Sequence, residues 1–245
     1  MISDTKVVAI GGGTGLSTML KGLKLHTHNI TAVVTVADDG GSSGILRSDL
    51  GMLAPGDVRN CVSALAEVDP VMGELLNFRF KDGSLKGHSL GNLFLAALNE
   101  TSSSFDEAVK KFSHLTGVVG TVYPVTNESV TLSALLEDGR LIEGESHIGV
   151  HHDGPKNGIV KLMVNPEKPK AVDGVIKALE KADIIVLGPG SLYTSIIPNL
   201  LVDGVVDAIK KSNAVKIYVC NIMSQAGETE NYTVSDHLAA IERHS

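Results

Sequence analysis

Tryptophan is absent from this chain and aromatic residues make up only 4% of it, so the stacking platforms that single-stranded nucleic acid needs are poorly supplied. Cysteine is almost absent as well. Cys61 and Cys220 lie far apart and no leader precedes the first apolar strand, which suits a reduced cytoplasmic protein rather than a disulfide-stapled secreted one. Apolar runs such as Ile184 to Leu187 fall far short of the ~20 residues a membrane helix needs. Positive charge is in deficit: the net charge is −7 and the pI is near 5.7. That balance argues against nucleic acid or an acidic membrane as a partner. What is present is 245 residues, 43% of them hydrophobic, enough to bury a substantial core in one domain with an excursion. A small molecule or a protein is the expected partner.

The most informative stretch runs from Lys6 through Val7-Val8-Ala9-Ile10 into Gly11-Gly12-Gly13-Thr14-Gly15, with a helical pattern at Leu16 to Lys24. A strand, a glycine-rich turn and a helix start gather backbone N–H groups where the helix dipole favours an anion, and glycine permits close approach. The stretch fails both familiar phosphate signatures. In G-x-G-x-x-G/A the last position falls on Leu16 counted from Gly11 and on Thr18 counted from Gly13, and no lysine completes a P-loop. A Rossmann relative with its own loop, or a tight turn without a ligand, are the readings left by these residues.

Further along, Ile30 to Ala37 reads as a second buried strand, followed by a flexible polar loop, Asp38-Asp39-Gly40-Gly41-Ser42-Ser43-Gly44. Helical patterns follow at Val58 to Glu67, Val71 to Phe80, Leu93 to Asn99 and Phe105 to His114, bounded by breakers. The texture turns to β from Thr121, and Asp138-Gly139 predicts a hairpin between Val130–Leu136 and Leu141–Glu145. The span 117–170 is expected to be a β-rich excursion. The βα rhythm resumes with Asp183 to Leu187, a helix over Ile196 to Lys211, a strand over Lys216 to Val219 and a helix over Ser235 to Arg243. The whole predicts one α/β domain over 1–245, a Rossmann-like, mostly parallel sheet with helices on both faces. Its ligand loops would lie at the carboxyl ends of the strands. Each sheet strand does end in a polar or glycine-rich turn: Gly11 to Gly15, Asp38 to Gly44, Gly188-Pro189-Gly190-Ser191 and Asn221 to Thr229, which includes Gln225 and Gly227.

Each candidate has a duller reading beside the functional one. Asp38 and Asp39 suit ribose hydroxyls or a magnesium ion held against a diphosphate, or simple loop solvation. Asp57, after Pro55-Gly56, is an N-cap candidate, whereas Arg59 and Asn60 are suited to gripping phosphate or sugar. Arg47 is a phosphate clamp or a solvated surface arginine. His88 is a phosphate donor, an acid or a structural histidine, and Ser89 or Asn92 caps the helix that follows. His151-His152-Asp153 looks like a metal cluster, but adjacent strand residues point to opposite faces. Cys61 reads as core.

Gly11 to Gly15, Asp38 to Gly44, Pro55-Gly56-Asp57-Val58-Arg59, Gly87-His88-Ser89-Leu90-Gly91-Asn92, Gly188 to Ser195 and Asn221 to Thr229 occur in an order that resembles the CofD-like family, and most of all its YvcK-type branch of gluconeogenesis factors. The resemblance covers nearly the whole chain. It implies a Rossmann-like fold and binding of UDP-sugars such as UDP-N-acetylglucosamine. It also implies a role in carbon metabolism and envelope-precursor supply, with a protein partner there and effects on growth and cell shape on gluconeogenic carbon sources. The other branch, the 2-phospho-lactate transferases, implies magnesium-dependent transfer from a nucleotide diphosphate carrier. Members of the YvcK-type branch continue beyond the helix holding His237 and Leu238, so the chain is expected to lack the family's C-terminal tail.

A binding regulator without turnover is the leading expectation, a transferase is the rival, and NAD in the same cleft is the third reading. Gly11 to Gly15 would hold phosphates and Asp38 ribose or a metal, while Arg59, His88 and Asn92 complete the anion or sugar contacts. A homodimer remains open.

Overall fold

The computed structural model describes residues 3–149 and 158–245. Val7–Gly11 (β1) pairs in parallel with Ile30–Val34 (β2) on one side and with Ile184–Leu187 (β7) on the other. Thr121–Pro124 (β3) extends the sheet beyond β2 and Val215–Tyr218 (β8) extends it beyond β7, both in parallel. The order is β3-β2-β1-β7-β8. Every residue of β1 is buried, as expected of a central parallel strand covered by helices on both faces.

Strand alternation distributes the core between those faces. Ala9, Ala32 and Val34 join Leu16 and Leu20 of α1 (Gly13–Leu23), Val58 and Leu65 of α3 (Gly56–Leu65), Leu95 of α5 (Leu90–Glu100) and Phe112 of α6 (Phe105–Leu115). Val8, Ile10 and Val33 join Val175 and Leu179 of α8 (Asp173–Lys181) and Val205 of α10 (Val205–Lys211) on the other. Burying each such aliphatic side chain is worth about 1.5–3 kcal/mol.

A second, antiparallel sheet holds Thr131–Leu136 (β4), Leu141–Glu143 (β5) and Ile159–Asn165 (β6) in the order β5-β4-β6. The β4–β5 hairpin turns where Asp138-Gly139 predicts it, with Gly139 at φ +86°. A single turn of helix, Glu145–Ile148 (α7), follows β5. The last helix, Val234–Arg243 (α11), is anchored to this sheet by His244, whose Nε2 accepts from the Leu162 N–H at 2.8 Å.

The structure corrects four local expectations. Thr121–Pro124 belongs to the parallel sheet, so the excursion begins after Pro124 rather than at 117; its short apolar run carries no mark of which sheet it joins. A helix, Gly41–Leu50 (α2), begins inside the expected flexible loop Asp38 to Gly44. Its glycine- and serine-rich first turn is tolerated because Leu46 packs into the core and because a side chain at Gly44 would strike the Asp39 carbonyl. The expected helix over Ile196 to Lys211 is broken into a π-turn (Leu192–Ile196), α9 (Ile197–Leu200) and α10, parted at Gly204 with φ +84°. The second strand stops at Val34, because β1 ends at Gly11 and the Thr35 N–H makes the last bond to it, to the Gly11 carbonyl at 3.0 Å.

The other helical patterns match α3, Pro70–Asn77 (α4), α5 and α6 within a few residues. His151, His152 and Asp153 lie outside the described residues. Among the described residues no helix is long and apolar enough to cross a membrane.

Candidate functional site

From β1 the chain winds outward through β2 to β3, then returns to enter at β7 on the opposite side of β1 and winds on to β8. The loops leaving β1 and β7 therefore diverge, and ligands of open α/β sheets bind in the crevice that such a switch creates at the carboxyl ends. A cleft of about 610 Å³ lies there. Its walls are Gly12 to Gly15 from the β1 loop, Pro189 to Ser191 with Ser195 from the β7 loop, and Val219 to Gln225 from the β8 loop. None of these lining residues carries a charged side chain.

Close packing explains the glycines. A Cβ on Gly12 would sit 2.6 Å from Asp57 Oδ2 and 2.7 Å from Thr35 Cγ2, and one on Gly15 would sit 2.9 Å from the Pro189 carbonyl oxygen. The β1 loop is thus wedged between α3 and the β7 loop. Asn199 Nδ2 donates to the Gly11 and Ser195 carbonyls at 3.2 and 2.8 Å, and Asn221 Nδ2 ties the β8 loop to the β7 loop through the Gly190 carbonyl at 2.8 Å. The buried Glu228 carboxylate accepts from Ser191 Oγ and from the Tyr193 N–H. Gly227, at φ +78°, makes the turn just before it, and Gly188, at φ +83°, opens the β7 loop.

Behind Gly12 the chemistry changes. Asp57 stands at the start of α3 and accepts a hydrogen bond from the Gly13 N–H; burial, then the nearby Asp38 charge, raises its pKa to about 6. Glu145, at the start of α7, is raised to about 7 by burial and by Asp38, against a hydrogen bond with the Thr194 hydroxyl. Asp39 is engaged differently: its two carboxylate oxygens accept from the Glu145 and Ser146 N–H groups, both at 2.9 Å, so it caps α7.

Beyond these acids the starts of α2, α3 and α5 are joined. Ser43 Oγ accepts from the Gly56 N–H at 3.2 Å, Ser42 Oγ lies 3.0 Å from His88 Nδ1, and Asn92 Nδ2 donates to Ser42 Oγ at 3.0 Å. Ser89 caps α5 through the Asn92 N–H. The Arg59 guanidinium is buried and donates to the side-chain oxygens of Asn92 and Asn77, a neutral set without a carboxylate; burial and the charge of Arg79 lower its pKa. Asn60 is half-buried on α3. Arg47 is a staple, donating to the carbonyls of Ala37, Asp38 and Val130.

The candidates of the sequence therefore fall into two groups that meet at Gly12 and Gly13. Gly12, Gly13, Thr14, Gly15, Pro189, Gly190, Ser191, Asn221 and Gln225 line the cleft. Asp38, Ser42, Ser43, Gly56, Asp57, Arg59, His88, Ser89 and Asn92 form the acid and helix-start network. Sequence reasoning missed Glu145, which reads as the end of a strand, and did not single out Cys220, or Ser195, Ile222 and Met223 within the stretches Gly188 to Ser195 and Asn221 to Thr229. Position after β7 and β8 is the signal they share.

Magnesium is the metal the acids suggest. Among the described residues no group of three or more His, Cys, Asp or Glu side chains is placed to hold a metal ion. The acids at hand fit magnesium only in its usual substrate-assisted form, one or two carboxylates completed by phosphate oxygens.

The family described as 2-phospho-L-lactate transferase CofD matches residues 7–245. The chain belongs to the CofD family. Within it, the chain is 50% identical to the gluconeogenesis factor of Halalkalibacterium halodurans, covering 97% of this chain and 73% of that protein. It is 47% identical to the gluconeogenesis factor of Bacillus subtilis, covering 98% and 74%. A relative from Clostridium acetobutylicum is 54% identical over 244 residues, of which this CofD-family chain spans only 54% of the length. A crystal structure of a Bacillus halodurans protein superposes with a TM-score of 0.94 at 48% identity, covering 99% of this chain and 77% of that one.

Proposed function

We propose that the chain binds a nucleoside diphosphate sugar of the UDP-N-acetylglucosamine kind in the cleft between β1, β7 and β8, and serves as a regulator rather than a catalyst. The observation that carries this reading is the neutral cleft at the switch point, where the start of α1 and the glycine turns offer backbone donors to a diphosphate. The relatives' name, gluconeogenesis factor, supports a role in gluconeogenesis, which this reading extends to growth and cell shape on gluconeogenic carbon sources. That role includes contact with a protein of envelope-precursor metabolism inside the cytoplasm. Calorimetric titration with UDP-N-acetylglucosamine, with NAD titrated in parallel, tests it. A saturable heat with the UDP-sugar is expected, and no heat at millimolar ligand would sink the reading.

One observation favours a second reading. Asp57 and Glu145, held near pKa 6 and 7 beside Asp38, are the kind of perturbed carboxylates that serve acid–base and metal-assisted chemistry. In a magnesium-dependent transferase of the 2-phospho-lactate type, Asp38 and Asp57 would share the ion with the substrate's phosphates. Incubation with a nucleotide diphosphate donor and a candidate alcohol separates the two, because a regulator returns the donor intact.

A further inference from the structure

We infer that the loop after β8 is the arm of the cleft that takes the nucleobase, with Ile222 and Met223 covering a face of the base and Asn221 and Gln225 meeting its edge. This rests on the nucleoside diphosphate reading above and adds which end of the ligand lies where.

Ile222 is 99% exposed and Met223 is 77% exposed, side by side, and both line the cleft. Two adjacent apolar side chains left in water forgo the stabilisation that covering them would bring. A chain with 4% aromatics and no Trp has few rings to stack, and a methionine thioether beside a branched aliphatic is an adaptable substitute against a flat heterocycle.

The loop that carries them is held in place. The Gln225 N–H donates to Thr229 Oγ1 at 3.0 Å, and the Gln225 carbonyl accepts from the N–H groups of Glu228 and Thr229.

The amide groups add selectivity for an edge. A carbonyl can only accept, so the 2.8 Å contact with Gly190 O identifies Asn221 Nδ2 as the donor. Its second contact, 3.2 Å to Gln225, then identifies that atom as Oε1. Asn221 Oδ1 and Gln225 Nε2 are left without a hydrogen-bond partner among the described residues. One is an acceptor and the other a donor, and the edge of uracil offers a partner for each, an N3–H and an O4 carbonyl.

Charge fixes the direction of the ligand. The β8 side presents no charged side chain to the cleft, its Glu228 carboxylate being buried against Ser191 and the Tyr193 N–H, whereas Asp38, Asp57 and Glu145 gather behind Gly12. An uncharged base belongs on the first side, and the hydroxyl-bearing group beyond the β-phosphate belongs beside the acids. Asp38 then faces the distal group rather than the ribose, which is one of the two partners, ribose or a metal, that the sequence suggests.

Cys220 provides the test. It is half-buried and lines the same cleft, while Cys61, the other cysteine, is fully buried with its thiol pKa pushed well up by burial. Maleimide labelling of the native protein therefore reports on Cys220. Saturating UDP is expected to slow labelling, and inorganic pyrophosphate, which fills only the glycine cradle, is expected to leave it unchanged.

The double variant Ile222→Ser, Met223→Ser alters exposed residues. It is expected to weaken UDP and UDP-N-acetylglucosamine alike by about tenfold while leaving pyrophosphate affinity unchanged. UDP binding at full strength to the variant, or UDP binding without protection of Cys220, would overturn the assignment and leave the proposed function standing. No UDP binding to either protein overturns both.

Discussion

The cleft surface formed by the β7 and β8 loops presents no charged side chain, since its Glu228 carboxylate is buried against Ser191 and the Tyr193 N–H, whereas the wall built by the β2 loop, α3 and α7 gathers Asp38, Asp57 and Glu145, and the two touch at Gly12 and Gly13. The difference divides the work of holding a diphosphate. On that neutral side binding depends on backbone donors and fit, with no charged side chain at the cleft surface. On the acidic side a diphosphate approaches carboxylates that repel it, so that side favours protons, a cation or neutral hydroxyls. The sharpest way to break this division is to close the gap between the walls. Gly15→Val places a side chain against the Pro189 carbonyl, 2.9 Å from an ideal Cβ. Overpacking of that kind costs about 1–3 kcal/mol. Denaturant unfolding should show that loss, and calorimetry should show nucleotide binding abolished. A variant that binds normally would mean the β1 and β7 loops do not grip the ligand together.

Much of the neutral side was legible, because its signals are backbone signals. Gly12, Gly13 and Gly15 announce a turn that no other residue fits, and the alternation of strands and helices places that turn at a strand end. The acidic side was legible only in part. Asp38 and Asp57 follow from their places after a strand and before a helix. Glu145 arrives from the antiparallel sheet, more than a hundred positions after Asp38, and no spacing rule connects the two. Asp39 parts from Asp38 for a related reason. Adjacent carboxylates in a loop look equivalent in sequence, yet Asp38 is turned toward Gly56 and Asp57, and Asp39 is taken up by the N–H groups of α7. The helix at Gly41–Leu50 was hidden by its own composition, since Gly and Ser disfavour helix interiors and tertiary packing overrode that preference.

A smaller effect tests the acidic side alone. Asp57 and Glu145 have folded pKa values raised from 3.8 to about 6 and from 4.5 to about 7. The native state therefore holds more protons than the unfolded chain in that interval, and these groups reduce stability as pH rises through it. Unfolding free energies measured between pH 5 and pH 7.5 should contain a downward component that Asp57→Asn and Glu145→Gln remove. If Asp57 also repels the diphosphate, nucleotide affinity in the wild type should rise on acidification or on adding magnesium, and Asp57→Asn should flatten both responses. A wild-type affinity indifferent to pH and magnesium would place the phosphates away from the acids.

The smallest effect separates the paired aspartates. Asp39 caps α7 through two backbone N–H groups, and loss of a capping carboxylate costs typically ~1 kcal/mol. Asp39→Ala should lower stability by about that amount. Because α7 carries Glu145, the variant should also shift the pH dependence that Glu145 contributes, whereas Asp38→Asn should lower the Asp57 and Glu145 pKa values directly by removing a neighbouring charge. Magnesium sensitivity of nucleotide binding is expected to survive Asp39→Ala and to be lost in Asp38→Asn. The reverse result would mean that Asp39, with both oxygens already accepting from α7, has lone pairs left for a cation, and that the acidic wall is organised around it instead of Asp38.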